Sequence, residues 1–239
     1  MPVRIGRMPT PARVIPLRLD RSRHAAPQVF ERLRELIVSL ELAPGTVLSR
    51  ADLAAQFGLS QTPIRDALIK LGEEGLVDIF PQHATVVSRI DLSLAKQAHF
   101  LRQAIELEVV RALASHPDPA LVAQLSAQVE QQSAAMGSTD YRAFVVADQA
   151  FHRILYEGAG VPDLFDLVRR TSGHLDRLRR LHLPAAGKAQ AVVRDHRRIV
   201  DAIARRNPDL AVGRLRRHLS GTLGKIDELS ARHPDFVGP

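Results

Sequence analysis

The sequence predicts a mainly α fold: an N-terminal winged helix-turn-helix of three helices and a small β-hairpin, followed by an all-α helical bundle. Three observations carry this reading. Apolar residues recur at three- and four-residue steps along most of the chain, the spacing that puts them on one helix face. A short stretch, 76–88, instead reads as two extended runs around Pro81-Gln82-His83-Ala84, the pattern of a hairpin. Aromatic residues make up only 4% of the 239 positions and Trp is absent. Leu, Ala, Val and Ile must therefore supply the packing, which suits helix bundles better than sandwiches.

Residues 1–24 carry six arginines against one acidic residue. They contain no apolar core, so they are not a secretory signal, and their prolines work against an amphipathic presequence. They read as a flexible basic arm. Helical periodicity begins at Gln28, with Val29, Leu33, Ile37 and Leu40 on one face, and Pro44-Gly45 ends it. Ser49 with Asp52 three residues on is a capping-box-like start. Leu53, Ala54 and Phe57 then point inward, and Gly58 closes this short helix. Ser60 is a good N-cap for the next one. Pro63 falls in its first turn, where the missing N–H is not needed. Ile64, Ala67, Leu68 and Leu71 form the buried face, and Gly75 ends it. The runs Leu76–Phe80 and Thr85–Ser88 make the hairpin. From Asp91 onward only helical patterns remain, at about 91–115, 118–136, 139–157, 162–182, 187–206 and 208–231, punctuated by Pro117, Gly137, Gly160, Pro162, Gly187 and Asn207-Pro208. The expected organisation is an arm (1–24), a first domain (25–90), a helical domain (91–231) and a tail (232–239).

Composition narrows the function. The chain has no Cys, which excludes disulfides, thiolate metal sites and Cys nucleophiles. No apolar run is long enough to cross a bilayer, so no membrane partner is expected and a cytoplasmic location is. The net charge is +7. Residues 25–90 hold six basic against eight acidic residues, so the positive excess sits in the arm and the helical domain. A basic total suggests a polyanionic partner, although many basic proteins bind no nucleic acid.

Two short helices joined by the tight Gly58-Leu59-Ser60 turn, with a supporting helix before and a hairpin after, can place one helix in the major groove of DNA. The segments Gln28–Arg34, Ala43–Ser49, Leu53–Leu68 and Leu71–Val77 resemble the DNA-binding domain of the GntR family over about 65 residues. The resemblance implies a homodimeric transcriptional repressor on double-stranded operator DNA. On the recognition helix Arg65 is the candidate for direct base contact. Ser60 and Thr62 are candidates for phosphate, at a helix N-terminus where the dipole favours anions. Three positions depart from the family pattern. Gln61 stands where the family usually has Arg, and its amide can pair bidentately with adenine. Ala51 stands where a contacting Arg is common, with Arg50 beside it as a substitute. His83-Ala84 replaces the frequent Arg-Gly or Asn-Gly of the wing tip.

In the helical domain Asp148 and His152 are four apart, on one helix face, while His196 and His218 lie on later helices. Three imidazoles and a carboxylate are good ligands for a borderline divalent cation. A lone His on an amphipathic helix is, however, usually a packing residue, and ten His in the chain allow chance combinations. The segment Asp148–His152, the segment Asp195–Ile203, and His218 resemble the metal-binding motifs of the FCD domain, the effector domain of the FadR-like branch of GntR regulators, in its shorter six-helix form. The resemblance implies a divalent metal held by these four residues (zinc, with nickel or manganese as alternatives) and a small organic acid as effector. It also implies a cavity arginine, for which Arg102 is the candidate; a guanidinium fork suits a carboxylate. The competing reading of Arg102 is an i,i+4 pair with Glu106 on a solvated face. The arginines near 178–180 and 214–217 read as solvated faces. Two other functions fit the residues: a regulator for which the metal is itself the signal, and a metal-dependent hydrolase fused to a DNA-binding module. No His-Glu-x-x-His helix, nucleophile elbow or phosphate-cradling loop supports the hydrolase, so no enzyme is expected.

Overall fold

The computed structural model describes residues 19–81, 83–137 and 141–238. Most of the predicted basic arm therefore lies outside the described residues. So do Gln82 of the hairpin turn and the first residues of the helix expected from 139. The chain divides into two compact units, one running to Asp91 and including His233 onward, the other spanning Leu92–Arg232.

The first unit has the order α1 (Ala25–Val38), α2 (Arg50–Phe57), α3 (Gln61–Glu73), β1 (Val77–Phe80) and β2 (Ala84–Val87). The start of α1 is fixed by the buried side chain of Gln28. Its Nε2 donates to the carbonyls of Asp20, Arg23 and His24, and its Oε1 accepts from the Asp20 N–H. This helix ends earlier than the turn signal suggested. Ser39 caps it and Leu40 takes a left-handed φ of 67°, so Leu40 leaves the apolar face and Leu36 takes the core position. The start of α2 is as the capping pattern predicts: Ser49 Oγ accepts from the Asp52 N–H at 3.2 Å. Gly58 ends α2 at φ 65°, a conformation that a Cβ disfavours, and the turn delivers the chain to α3. Ile64, Ala67, Leu68 and Leu71 of α3 are buried. A largely buried ion pair, Arg34 Nε to Glu74 Oε2 at 2.6 Å, ties α1 to the end of α3. In the hairpin Val77 pairs with Val87 and Phe80 with Ala84. Val47 adds a bridge to Val86. One core, built from Val29, Leu33, Ile37, Leu53, Phe57, Ile64, Leu71 and Leu76 among others, holds these elements.

The last residues rejoin this unit. Ile90 N–H donates to Phe236 O at 2.8 Å, and Gly238 N–H donates to Ile90 O at 2.9 Å. This is a parallel bridge between Ile90 and Val237, both buried.

The second unit consists of α4 (Leu92–Ser115), α5 (Pro119–Ala134), α6 (Arg142–Gly158), α7 (Pro162–Thr171), α8 (Gly173–His182), α9 (Lys188–Ala204), α10 (Pro208–Ser220) and α11 (Ile226–Arg232). Two of the six helices expected from periodicity are broken. The 162–182 pattern splits at Ser172, whose Oγ donates back to Val168 O at 2.7 Å and competes with the helix ladder. The 208–231 pattern splits after Ser220 at Gly221, a poor helix former, and a short 3-10 turn at Leu223–Lys225 precedes α11. Both breaks keep the apolar spacing nearly in phase, so periodicity alone does not show them. Asp118 and Asn207 cap α5 and α10 through their side chains. The core includes Val110, Leu125, Phe144, Phe151, Leu155, Tyr156, Val193, Ile203 and Leu215. At Gly158 a Cβ would come within 2.5 Å of Leu121 Cδ2; glycine there lets α6 close on α5.

No helix among the described residues is long and apolar enough to cross a membrane.

Candidate metal centre and nucleic-acid interface

The structure brings Asp148, His152, His196 and His218 together. Asp148 and His152 stand one turn apart on α6, His196 on α9 and His218 on α10. All four are buried. One ligand atom from each lies within 4.8 Å of all the others. His196 Nε2 and His218 Nε2 face each other at 3.2 Å, and His196 Nε2 is 3.7 Å from Asp148 Oδ1. The Nε2 atom of His152 is buried without a hydrogen-bond partner. Orphaned buried polar atoms are costly, and this one belongs to a donor set whose lone pairs converge. That is the observation by which these residues fit a divalent cation.

The charge state suits the same purpose. Burial pushes the His196 imidazole down to about 3, and the attraction of the Asp148 carboxylate does not offset it. Burial, then the neighbouring His196, holds His218 well below its ordinary value. Burial opposes ionisation of Asp148, but Arg179 and the histidines hold its carboxyl well below the usual range. Neutral imidazoles and an ionised carboxylate are the ligand forms that metal binding requires.

Three residues that the sequence did not single out as site residues support the ligands. Arg179 Nη2 donates to Asp148 Oδ2 at 2.6 Å, so this arginine is paired at the site and not part of a solvated face. Glu106 on α4 accepts from Arg102 Nε at 2.7 Å, and its other oxygen lies 3.0 Å from His152 Nδ1. Burial alone would raise the Glu106 carboxyl, but Arg102 and His152 bring it down to about 2. Gln132 on α5 lies 2.7 Å from His196 Nδ1 through Oε1 and donates from Nε2 to Asp148 Oδ1 at 3.2 Å. Phe151 stacks on the His196 ring at a centroid distance of 4.0 Å. Only Glu106 had a sequence signal, its i,i+4 spacing from Arg102. That pair exists, but it is buried, with side chains 8% and 2% exposed. A cavity reached by two of the ligands, Asp148 and His152, is lined also by Arg102, Glu106, Arg169, Asp176 and Arg179 among others. Carboxylates, guanidiniums and an imidazole thus line one cavity, with Arg102 paired to Glu106 and Arg179 to Asp148 and Asp176.

In the first unit the candidate DNA contacts are all exposed. Gln61, Thr62 and Arg65 occupy the first two turns of α3, and Ser60 is its N-cap, with no side-chain bond to the helix. Arg50 opens α2. His83 sits in the hairpin turn, its N–H donating to Phe80 O at 3.1 Å. The inward face of α3 carries the core, so these polar groups are left to solvent.

Comparison with known proteins gives the same division. Residues 25–87 match the model of the bacterial regulatory proteins of the gntR family, and residues 97–221 match the FCD domain. An HTH-type transcriptional regulator in an unstable DNA locus of Streptomyces ambofaciens is 38% identical over 208 residues, covering 87% of each chain. The HTH-type transcriptional repressor RspR of Escherichia coli K12 is 29% identical over 209 residues, covering 87% of this chain and 92% of that protein. Among solved structures, E. coli McbR/YncC superposes with a TM-score of 0.72 at 19% identity, covering 88% of this chain and 99% of that one.

Proposed function

Because the chain belongs to the GntR family of transcriptional regulators and carries an FCD domain, we propose that it is an operator-binding repressor controlled by a small organic acid bound beside a divalent metal. It is a DNA-binding transcriptional regulator of the GntR/FCD type and not an enzyme. The finer reading rests on one observation: four buried ligand atoms converge, and one imidazole nitrogen among them has no other partner.

Asp148, His152, His196 and His218 would hold the cation, with zinc the best match to a three-nitrogen, one-oxygen set and nickel or manganese as alternatives. When bound, the cation supplies a Lewis-acidic centre that attracts carboxylate oxygens. Arg102, held by Glu106, presents a guanidinium to the same cavity and orients the acid. The domain 91–231 thus senses, and the domain 25–90 reads DNA. Arg65 reaches base edges, Gln61 prefers adenine, Ser60, Thr62 and Arg50 engage phosphates, and His83 touches the backbone from the wing. The arm of residues 1–24 adds sequence-independent phosphate affinity. Two copies read a near-palindrome as a homodimer, because one recognition helix covers only a few base pairs. The acid changes operator affinity by favouring one arrangement of the protein, with a coupling of about 1–3 kcal/mol.

The test is operator binding followed by fluorescence anisotropy while organic acids are titrated, on zinc-loaded protein and on the His152→Ala/His196→Ala variant. The reading expects at least one acid to shift the affinity of the loaded protein and not of the variant. Equal shifts in both remove the metal from sensing. A response to zinc alone, with no acid active, makes the metal the signal.

A further inference from the structure

Gln132 is completely buried and belongs to none of the motifs that carry the metal ligands. It is on α5, whereas the ligands it touches are on α6 and α9. Its Nε2 donates to Asp148 Oδ1 at 3.2 Å, and its Oε1 lies 2.7 Å from His196 Nδ1. An amide is the side chain that offers a donor and an acceptor from one rigid plane, and both are used here on two different ligands.

The orientation of this amide follows from its partners. Asp148 is paired with Arg179 at 2.6 Å, and an ionised carboxylate only accepts hydrogen bonds. The Gln132 NH2 must therefore face Asp148. That leaves Oε1 facing His196, and a carbonyl oxygen only accepts. His196 must then carry its proton on Nδ1, which leaves the Nε2 lone pair free. Nε2 is the nitrogen that faces His218 Nε2 at 3.2 Å and Asp148 Oδ1 at 3.7 Å, at the centre of the ligand group. Phe151, stacked on the ring at an interplanar angle of 14°, fixes the ring plane but not which nitrogen is protonated. Reversing the amide would set Oε1 against the carboxylate, where neither group can donate, and would put NH2 against His196 Nδ1, a bond that forms only if the ring proton moves to Nε2, the nitrogen that faces the other ligands.

We propose that Gln132 is a positioning residue that couples the orientation of Asp148 to the tautomer of His196, and that it thereby sets the divalent-cation affinity of the centre. This rests on the metal reading given above. Partners that orient metal ligands are commonly worth about tenfold to a hundredfold in affinity, and Gln132 orients two ligands at once.

The experiment uses the full chain as wild type, Gln132→Met and Gln132→Glu. Methionine keeps the length and removes both bonds. Glutamate keeps an acceptor for His196 and loses the donor to Asp148. Zinc, nickel and manganese affinities are measured by competition with a chromophoric chelator. The His196 tautomer is read from long-range 1H–15N spectra of metal-free protein. The expected result is a single Nδ1–H tautomer in the wild type, retained in Gln132→Glu and lost in Gln132→Met, with zinc binding weakened about tenfold to a hundredfold in Gln132→Met. Wild-type tautomer and zinc affinity in Gln132→Met overturn the proposal. If Gln132→Met does not fold, Gln132→Glu decides: a mixed His196 tautomer in that variant also overturns it. A wild type that takes up none of zinc, nickel and manganese overturns the metal reading and the affinity claim. The metal-free spectra then still show whether the amide sets the tautomer, so the two failures remain distinguishable.

Discussion

Arg102 and Glu106 form an ion pair of 2.7 Å that is almost wholly removed from solvent. The second Glu106 oxygen lies 3.0 Å from the ring of His152. The pair therefore belongs to the polar interior of the helical domain and not to its surface. Removing one member of a buried pair leaves an uncompensated charge, whereas replacing both with apolar residues of similar size does not. Arg102→Met is expected to destabilise the protein by about 3–5 kcal/mol, and Arg102→Met/Glu106→Leu by clearly less. Urea unfolding of the two variants checks this; additive losses would mean that the two side chains do not act as a pair.

Metal addition should stabilise the folded chain. A ligand that binds only the folded state contributes about 2.7 kcal/mol at a concentration one hundred times its Kd. Zinc is therefore expected to raise the melting temperature of the wild type and a chelator to lower it. Neither should act on His196→Ala/His218→Ala. An equal zinc response in that variant would place the ion elsewhere.

The metal-free centre should make the fold sensitive to acid. Burial lowers His196 from an ordinary 6.5 to about 3, so its contribution to stability is complete above 6.5 and lost as pH falls toward 3. Glu106, lowered from 4.5 to about 2, adds a second loss between those values. In both windows the unfolded chain binds protons that the folded chain refuses, so stability falls with pH. Melting temperatures of metal-free protein taken across this range should decline steadily below 6.5. A flat profile from neutrality down to 4.5 would contradict the buried neutral imidazole.

Arg65 is exposed on α3, and its removal touches no core contact. Arg65→Ala is expected to weaken specific operator binding by about 1–3 kcal/mol and to relax base preference at one position. Arg50→Ala should weaken binding to all sequences alike and reduce the salt slope by about one. Anisotropy titrations at several salt concentrations, with circular dichroism as a control for folding, separate the two roles.

Gly58 sits at φ 65°, and a methyl group added to its Cα would have no neighbouring atom within 4 Å. Gly58→Ala therefore meets no steric obstacle and tests the backbone alone. The left-handed conformation is expected to cost about 1–2 kcal/mol, visible as a lower denaturation midpoint.

Much of this architecture is legible in local sequence, because it is set by local chemistry. Ser49, Gly58 and the apolar face of α3 are decided by neighbours a few residues away, and the structure places them as periodicity and capping rules require. Asp148 and His152 are one turn apart and visible as a pair. The breaks at Ser172 and Gly221 are hidden because the apolar spacing continues across them. The partners of the ligands are hidden for a different reason. Gln132 meets His196 across 64 residues and Asp148 across 16, and Arg179 meets Asp148 across 31. Nothing in a run of glutamines or arginines tells which member will be buried; only the packing of α5, α6, α8 and α9 decides it.

The bridge between Ile90 and Val237 makes the helical domain an insertion by topology. The chain leaves the first unit after Asp91 and comes back to it at His233. A chimera that exchanges FCD domains between relatives must therefore splice at two seams, and a single crossover near residue 91 would bring a foreign segment to Ile90. The same holds for fusions: a tag joined directly after the 233–238 segment hangs from a stretch bonded to the first unit, so a spacer is the safer choice for any reporter of operator binding.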